Sequence, residues 1–398
     1  MAWRNVYRPH VNVVTPAYGD SQRFWVEDLT CWMAEQAHQV VELTVVHVLN
    51  KALPTQTALT PAGVVWPENS PVHLQYGWWA DDSGDFFGYV VSHRVASSET
   101  QARYGHAIAL TVVYTCVGAS LPMQSYTSRL WQDVSPSYIA TTIARSYHLQ
   151  PHVDYSLVHF TSRMQTASDW HFLADLTTRA NYRLFLDGVN LWFADRHTVM
   201  PATDNSVPVF QMSKEPGQVN SLREFSAVVG DTDPAGGVRA TYQTTSLNRS
   251  SGVMMPAQLA RARTDLLGNQ VDPMITRHYS NRPVHSYSEA QTLLDADTTL
   301  LWVESRAVTN GDPRIKPGSI VDLEGDAVGS QNQGIWMVRA ATHKLTVNHS
   351  DPRKTEYTTH AVLGRDNAQS LILPIQKPAT PAPPTVLVSG RWRAQYTT

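Results

Sequence analysis

Charge is scarce in this chain. Asp, Glu, Lys and Arg make up 16% of its 398 residues, against roughly 25% in an ordinary soluble domain. The 31 basic and 34 acidic residues leave a formal net charge of −3. There is thus no global basic field of the kind that a dedicated nucleic-acid or acidic-membrane binder carries. Cysteine is scarcer still, with only Cys31 and Cys116 present. Two thiols cannot build a disulfide framework, and without a C-x-x-C pair there is no zinc ribbon or dithiol redox motif. One Cys31–Cys116 bridge is the most they could form. No run approaches the roughly 18 apolar residues of a membrane span. The N-terminus, Met1-Ala2-Trp3-Arg4-Asn5, lacks the charged-then-apolar pattern of a signal peptide, so the chain is expected to be made in a cytoplasm and not exported by the usual route. H-E-x-x-H, G-x-S-x-G, G-x-x-x-x-G-K-[ST] and G-x-G-x-x-G are all missing. No catalytic residue, metal ligand or cofactor is therefore expected.

Ser, Thr, Gln and Asn fill the place of the missing charge, beside 42% apolar residues. That mix suits β-rich surfaces and large contacts with other subunits, and does not suit disorder. Residues 1–120 read as β. Val40–Val48, Phe86–Val95 and Ala107–Val117 are β-branched or aromatic runs, the last two separated by polar Ser97–Gly105; such runs between breaks mark strands. Pro54, Pro61, Pro67 and Pro71 make Leu53–Pro71 a long loop, because proline suits neither helix interiors nor central strands.

The middle of the chain changes character. Ser135 can cap a helix with Pro136 at its first position. A second helix is signalled by Ser168-Asp169-Trp170-His171-Phe172-Leu173, with Leu176 and Ala180 at helical spacing and Asn181 as a stop. Asp187-Gly188 between Tyr182–Leu186 and Asn190–Phe193 predicts a hairpin with a type I′ turn. Residues 220–370 read as β again, with one helix near Ser288–Val308 that Gly311-Asp312-Pro313 stops. Strands are expected after Pro317-Gly318 and over Gly334–His343. The Pro-rich segment 374–398 is an extended spacer ending in Val386-Leu387-Val388 and Arg391-Trp392-Arg393. Those two triplets suit addition to the sheet edge of a partner.

Several clusters hold residue types that can carry chemistry. Pro151 between His148 and His152 breaks the helix that would align them on a metal. Asp81, Asp82 and Asp85 around Ser83-Gly84 read as a solvated turn without the bidentate Glu of a calcium loop. Asp322, Glu324 and Asp326 around Gly325 stand too close in sequence for a glycosidase pair across a groove. His47, His93, His106 and His343 read as half-buried hydrogen-bonding histidines within strands. Trp78-Trp79 suits either a sugar-stacking platform or packing, and the spread of 12 tryptophans along the chain favours packing.

The order of these segments resembles that of tail-hub proteins, the late control D-type proteins of contractile phages and the hub part of VgrG spike proteins. The similarity rests on Ser135-Pro136 before Ile139-Ala140, on Ser168-Asp169-Trp170-His171-Phe172-Leu173 followed by Tyr182–Gly188 and Leu191-Trp192-Phe193, and on a closing block. That block is Gly311-Asp312-Pro313, Pro317-Gly318, then Gly334-Ile335-Trp336-Met337-Val338 and His343. It covers roughly residues 35–365. The resemblance implies an α+β, mostly β fold with two tail-tube-like β-barrel domains. These would be 1–125, with the long loop, and 216–373, with one helix, around an α+β insert at 126–215 and before a tail at 374–398. It further implies a non-catalytic homotrimeric ring at the baseplate or tip of a virion tail. Such a ring adapts a sixfold tail tube to a threefold spike or central fibre and passes DNA or cargo. Its partners would be a tail tube or distal tail protein, the spike or fibre, and the tape-measure protein, with no membrane and no sequence-specific nucleic acid. The spike is expected to be a separate chain, reached by the tail at 374–398. A tail-tip peptidoglycan-degrading enzyme and a carbohydrate-binding module using Trp78 and Trp79 are the alternatives.

Overall fold

The computed structural model describes residues 9–14, 24–49, 65–78, 81–100, 108–156, 158–180, 182–195, 198, 200, 207–212, 221–229, 238–247, 254–261, 263–264, 270–271, 275–284, 303–330, 332–348, 354–365, 386–388 and 391–393. The first lobe holds β1 (Pro9–Val14), β2 (Phe24–Ala34), β3 (Val40–Leu49), β4 (Pro71–Trp78), β5 (Asp81–Thr100) and β6 (Ile108–Gly118). An insert follows, with β7 (Arg129–Val134), α1 (Pro136–Ser146), β8 (Gln150–Val153), β9 (Phe160–Gln165), α2 (Asp169–Ala180), β10 (Tyr182–Asp187) and β11 (Asn190–Asp195). Then come β12 (Val209–Gln211), β13 (Leu222–Val229), β14 (Val238–Leu247), β15 (Met254–Arg261), β16 (Arg263–Thr264), β17 (Gln270–Val271) and β18 (Ile275–Val284). The second lobe is completed by β19 (Val303–Asn310), β20 (Ile320–Glu324), β21 (Gly334–Thr346) and β22 (Glu356–Arg365), and β23 (Val386–Val388) and β24 (Arg391–Arg393) pair near the end. The fold is α+β and mostly β.

One sheet runs through both lobes in the order β1-β4-β5-β6-β3-β2-β21-β22-β19-β13, with β20 branching from β21 and β12 from β20. Its strands follow from alternation. In β3, Val41, Leu43 and Val45 are buried while Glu42 faces out, the period-2 pattern of a half-buried strand. The lobes join where β2 lies antiparallel to β21, with Cys31 opposite His343 and Thr30 opposite Lys344. The apolar faces of both lobes form one core, including Leu43, Leu74, Phe86, Trp336 and Leu363.

The two lobes repeat one topology. The path β5-β6-β3-β2 in the first matches β21-β22-β19-β13 in the second, and chain order matches strand for strand. Two irregularities match as well, while a second bulge of β5, at Ala96 against β6, has no counterpart in β21. β2 bulges at Glu27 against β3, and β13 bulges at Arg223 against β19. β5 bulges at Val91 against β6, and β21 bulges at Arg339 against β22. A bulge resets which residues point inward, so Val26 and Leu29 in β2 stand where Leu222 and Phe225 stand in β13. The lobes differ at their flank, where β1 runs antiparallel to β4 but β12 runs parallel to β20.

The insert has its own core, built from Ile139, Ile143, Leu173, Leu176, Leu184 and Phe193 among others. The Ser135 hydroxyl accepts the Tyr138 N–H at 3.2 Å, and Pro136 opens α1. Ser168 does the same for α2, its Oγ accepting the His171 N–H at 3.3 Å. The helices pack with the sheet β10-β11-β8 and the ribbon β7-β9.

Several expectations are corrected. Val303–Asn310 is a strand, not the end of a helix; the remainder of that expected helix, 288–302, lies outside the described residues. The inward residues of this strand are Ser305, Ala307 and Thr309, too small and polar for their alternation to show as hydrophobic. The hairpin turn centres on Gly188-Val189, because Asp187 pairs with Asn190. Gly188 alone there has positive φ, at 59°, the pattern of a type II′ rather than a type I′ turn. The polar stretch from Ser97 is strand as far as Thr100, and Asp81–Asp85 is strand rather than turn. Of the Leu53–Pro71 loop, residues 53–64 lie outside the described residues and Pro71 opens β4. No Cys31–Cys116 bridge forms: both thiols are free and buried. Val41 lies opposite each of them on the intervening strand β3, and two strand spacings of about 4.8 Å exceed the reach of a disulfide.

Candidate functional site

The residues singled out by the sequence converge on one place, the junction of the two lobes with the insert. The segment linking β19 to β20 forms its centre. The Gly311 carbonyl accepts the Trp78 Nε1–H of the first lobe at 2.7 Å, and Trp78 packs beside the Tyr357 ring at 5.7 Å. Trp78 is therefore committed to packing; Trp79 lies outside the described residues. Asp312 receives the Arg314 guanidinium at 2.7 Å, and its N–H bonds Thr359 Oγ1 at 3.1 Å. The Lys316 ammonium reaches across to Asp187 in the insert hairpin at 2.8 Å. Pro317 is buried. Gly318, at φ 87°, lets the chain pass the Phe185 ring, where a Cβ would come within 2.6 Å of Cζ. Gly188 likewise lies against Phe87 of β5.

His343 is fully buried beneath this segment. Its Nε2 lies 3.0 Å from the Ile315 carbonyl, which can only accept, so the proton sits on Nε2. Nδ1 is then the acceptor, with the Thr359 and Tyr357 hydroxyls each 3.1 Å away. Burial pushes this imidazole down to about 4, with Lys316 acting in the same direction and Asp312 and the Ile315 carbonyl opposing it. The ring also faces Tyr76 of the first lobe at 5.4 Å. A neutral histidine with both nitrogens engaged is a structural tie rather than a proton donor.

The first lobe grips the insert through the β2–β3 turn. Gln36 N–H donates to the Leu184 carbonyl at 2.6 Å and Gln39 Nε2 to the Leu186 carbonyl at 2.8 Å. His38 stacks on Trp170 with ring centroids 4.8 Å apart. Arg183, almost wholly buried, reaches Glu35 at 3.5 Å and the Thr198 carbonyl. Trp170 thus links the junction to the insert core, of which it forms part with Phe172 and Leu173. The turn 35–39 was missed by sequence reading, since nothing in Glu-Gln-Ala-His-Gln marks it; even the positive φ of Gln36, 61°, carries no compositional signal. Gly334 lies apart at the start of β21, at φ 101° with open space around its Cα.

The other candidates separate. His148, at φ 57°, follows α1 as an exposed residue, while His152 stacks on Trp192 at 4.3 Å. Asp85 bonds His73 at 2.7 Å. Asp322 and Glu324 share one side of β20, where burial and then the Glu324 charge raise the Asp322 carboxyl; Glu324 receives Gln211 Nε2 at 2.8 Å. His47 is buried and bonded to Tyr114 at 2.8 Å. His93 is exposed rather than half-buried, and His106 lies outside the described residues. Among the described residues no group of three or more His, Cys, Asp or Glu is placed to hold a metal ion. No helix there is long and apolar enough to cross a membrane.

Away from the core, the joined sheet presents a face that crosses the lobe boundary without a break. One row reads Thr115, Glu42, Thr30, Lys344, Thr358 and Asn310 across six strands. The next row runs through Val40, Trp32, Thr342 and His360, and Trp32 there is 40% exposed. Hydroxyls dominate, and Glu42 and Lys344 offset one another.

No protein-family model and no curated protein matches the chain. Solved structures do. The 43 kDa tail protein of prophage MuSo2 from Shewanella oneidensis superposes with a TM-score of 0.56 at 9% identity, over 90% of this chain and 99% of that one. The tail protein from Neisseria meningitidis MC58 gives 0.57 at 12% identity, over 90% and 97%. The E. coli c3393 protein, a component of the type VI secretion system with structural similarity to T4 tail proteins gp27 and gp5, gives 0.54 at 9% identity, over 89% and 77%. The chain has the fold of these tail proteins along nearly its whole length.

Proposed function

We propose that this chain is the non-catalytic structural hub of a phage, or phage-derived, tail. Three copies form a ring that adapts a sixfold tail tube on one side to a threefold spike or central fibre on the other. The observation that carries this reading is the duplicated sheet. Two lobes of one topology, with bulges at matching places, let three chains offer six similar surfaces to a sixfold partner. The junction described above would hold the two lobes at a fixed angle. The insert, clamped by the β2–β3 turn on one side and Lys316 on the other, serves as a brace rather than as a reactive centre. The tail-protein fold of the Shewanella and Neisseria chains supports a tail role.

The exposed face of the joined sheet is the natural wall of the passage. Its hydroxyl-rich, nearly neutral rows provide no line of cations to hold phosphates, so DNA or cargo meets little electrostatic retardation. Tail tube or distal tail protein, tape-measure protein and spike are the partners on this reading, and the virion baseplate or tail tip is its place. The tail residues Val386, Leu387, Val388, Arg391, Trp392 and Arg393 would capture the spike or fibre, with the β23–β24 pair adding to its sheet. Mass measurement in solution tests the ring: three times the chain mass is expected, and a species that stays monomeric at high concentration refutes it. Removing 374–398 should preserve the trimer and abolish spike capture; unchanged capture would refute the role of the tail.

A further inference from the structure

The insert and the first lobe leave a groove of about 420 Å³ between them. Strands β4 and β5 form one wall. His73 lies opposite Phe87 and Pro71 opposite Tyr89, while Val72 and Gly88 between them are buried. Alternation along a strand therefore sets the first four residues on one outer face. The His73 and Phe87 rings stack there with centroids 3.9 Å apart. The other wall comes from the end of α1. The Leu149 N–H returns to the Ala144 carbonyl at 3.0 Å and His148 takes φ 57°, which closes the helix beside the groove. Tyr147 lines this wall, its ring fixed by a hydroxyl that donates to Asp169 at 2.7 Å. Val189, at the tip of the β10–β11 hairpin, and Pro122 complete the rim. Pro122 is exposed and Val189 is 39% exposed. A groove walled by aromatic rings and prolines fits a polyproline II segment, which is extended before it docks and loses little freedom on docking.

The chain contains such a segment. Polyproline II has about three residues per turn, so residues three apart share an edge. Ile375, Pro378, Pro381 and Pro384 stand at that spacing, giving one apolar edge about 28 Å long at about 3.1 Å per residue. Lys377 is the only charged residue between Asp366 and Arg391. Beside the groove stands an acid to match it: Asp85, bonded to His73 at 2.7 Å, keeps its side chain 43% exposed. The reach also fits. β22 ends at Arg365, next to Gly364 opposite Met337, and Met337 Sδ is 3.0 Å from the Arg183 guanidinium of the insert. From Arg183 along β10 to Gly188, beside the groove, is about 17 Å at about 3.4 Å per residue. The chain from Arg365 to Pro378 can extend about 40 Å in polyproline II.

We infer that residues 375–384 of this chain lie in the groove between its first lobe and its insert, with the proline edge against Phe87, Tyr89 and Tyr147 and Lys377 toward Asp85. The contact straps the Pro-rich spacer to the body of its own chain and sets where the β23–β24 pair leaves it. It does not depend on the ring, since a single chain can make it.

The test joins Val189→Cys to Ala379→Cys, or to Ala382→Cys, in the full chain. Disulfide formation is followed in a thiol–disulfide buffer, with the linked peptides identified by mass. Cys31 and Cys116 are buried and do not compete. An intrachain bridge is expected from at least one pair. Adding Pro378→Ala, Pro381→Ala and Pro384→Ala, which lie outside both lobes and the insert, should slow that bridge at least tenfold, because a mere tether would bridge equally well without them. An unchanged rate, or no bridge from either pair, would overturn the docking. A bridge between two chains would overturn the assignment to the same chain and give the groove to a neighbour's spacer. The mass of the assembled species, measured in parallel, bears on the ring and not on this contact.

Discussion

Gly318→Ala tests whether the junction is held by close packing. The residue lies at φ 87°, and its Cβ would stand 2.6 Å from Phe185 Cζ and 3.0 Å from Cε1. Phe185 cannot swing away, being 2% exposed and stacked over Trp192 at 6.0 Å. Two costs follow. A left-handed backbone on an L-residue costs roughly 1–2 kcal/mol, and forcing a methyl into a packed interior costs about 1–3 kcal/mol. Their sum is of order 2–5 kcal/mol. Gly334→Ala is the internal control, because Gly334 has φ 101° but nothing within 4 Å of the added carbon. It should show the backbone cost alone. Urea unfolding followed by tryptophan fluorescence reads both, and the midpoint should fall further for Gly318→Ala. Equal destabilisation of the two variants would show that the Phe185 contact is not tight and would remove the packing account of the junction.

Acid should loosen the lobes. Burial holds His343 and His47 down at about 4, below an unfolded value near 6.5. Each is neutral when folded, so the stability it contributes is intact above pH 6.5 and is lost as pH falls toward 4, by about 3 kcal/mol per histidine. Urea midpoints across that range should fall, and His343→Gln should flatten the profile; a profile independent of pH would refute the assignment. Lys316→Met leaves Asp187 without its cation and should cost about 1.5–3 kcal/mol, measured by the same unfolding curve, with Lys316→Met plus Asp187→Leu recovering part of the loss. Burial raises the Cys31 and Cys116 thiols to about 12, so an aromatic disulfide reagent at pH 8 should label neither in the folded chain and both after denaturation. Rapid labelling without denaturant would contradict their burial.

Local chemistry made the insert legible. Ser135-Pro136 and Ser168 are caps whose hydrogen bonds lie within three residues, and the glycine at 188 marks a turn closed by its immediate neighbours. The first-lobe strands were equally readable, since Val41, Leu43 and Val45 alternate with polar residues. Strand β19 was not, because its inward residues are Ser305, Ala307 and Thr309; small side chains suffice where β13 and β22 flank the strand on both sides. The positive φ of Gln36 and the burial of Arg183 left no trace in composition either.

By itself, then, the sequence determined the elements whose stabilising contacts are short in chain distance: two capped helices, one tight hairpin, and strands with a strong apolar phase. It also brought forward the segments around Gly311, Pro317 and His343 without showing what joins them. Only the tertiary structure decided that Trp78 meets Gly311, that Lys316 meets Asp187, and that two blocks far apart in the chain share one sheet and one topology. The joining of the two blocks depends on hydrogen bonds between β2 and β21, which lie far apart in the chain, and such pairing leaves no periodic mark in the order of the amino acids.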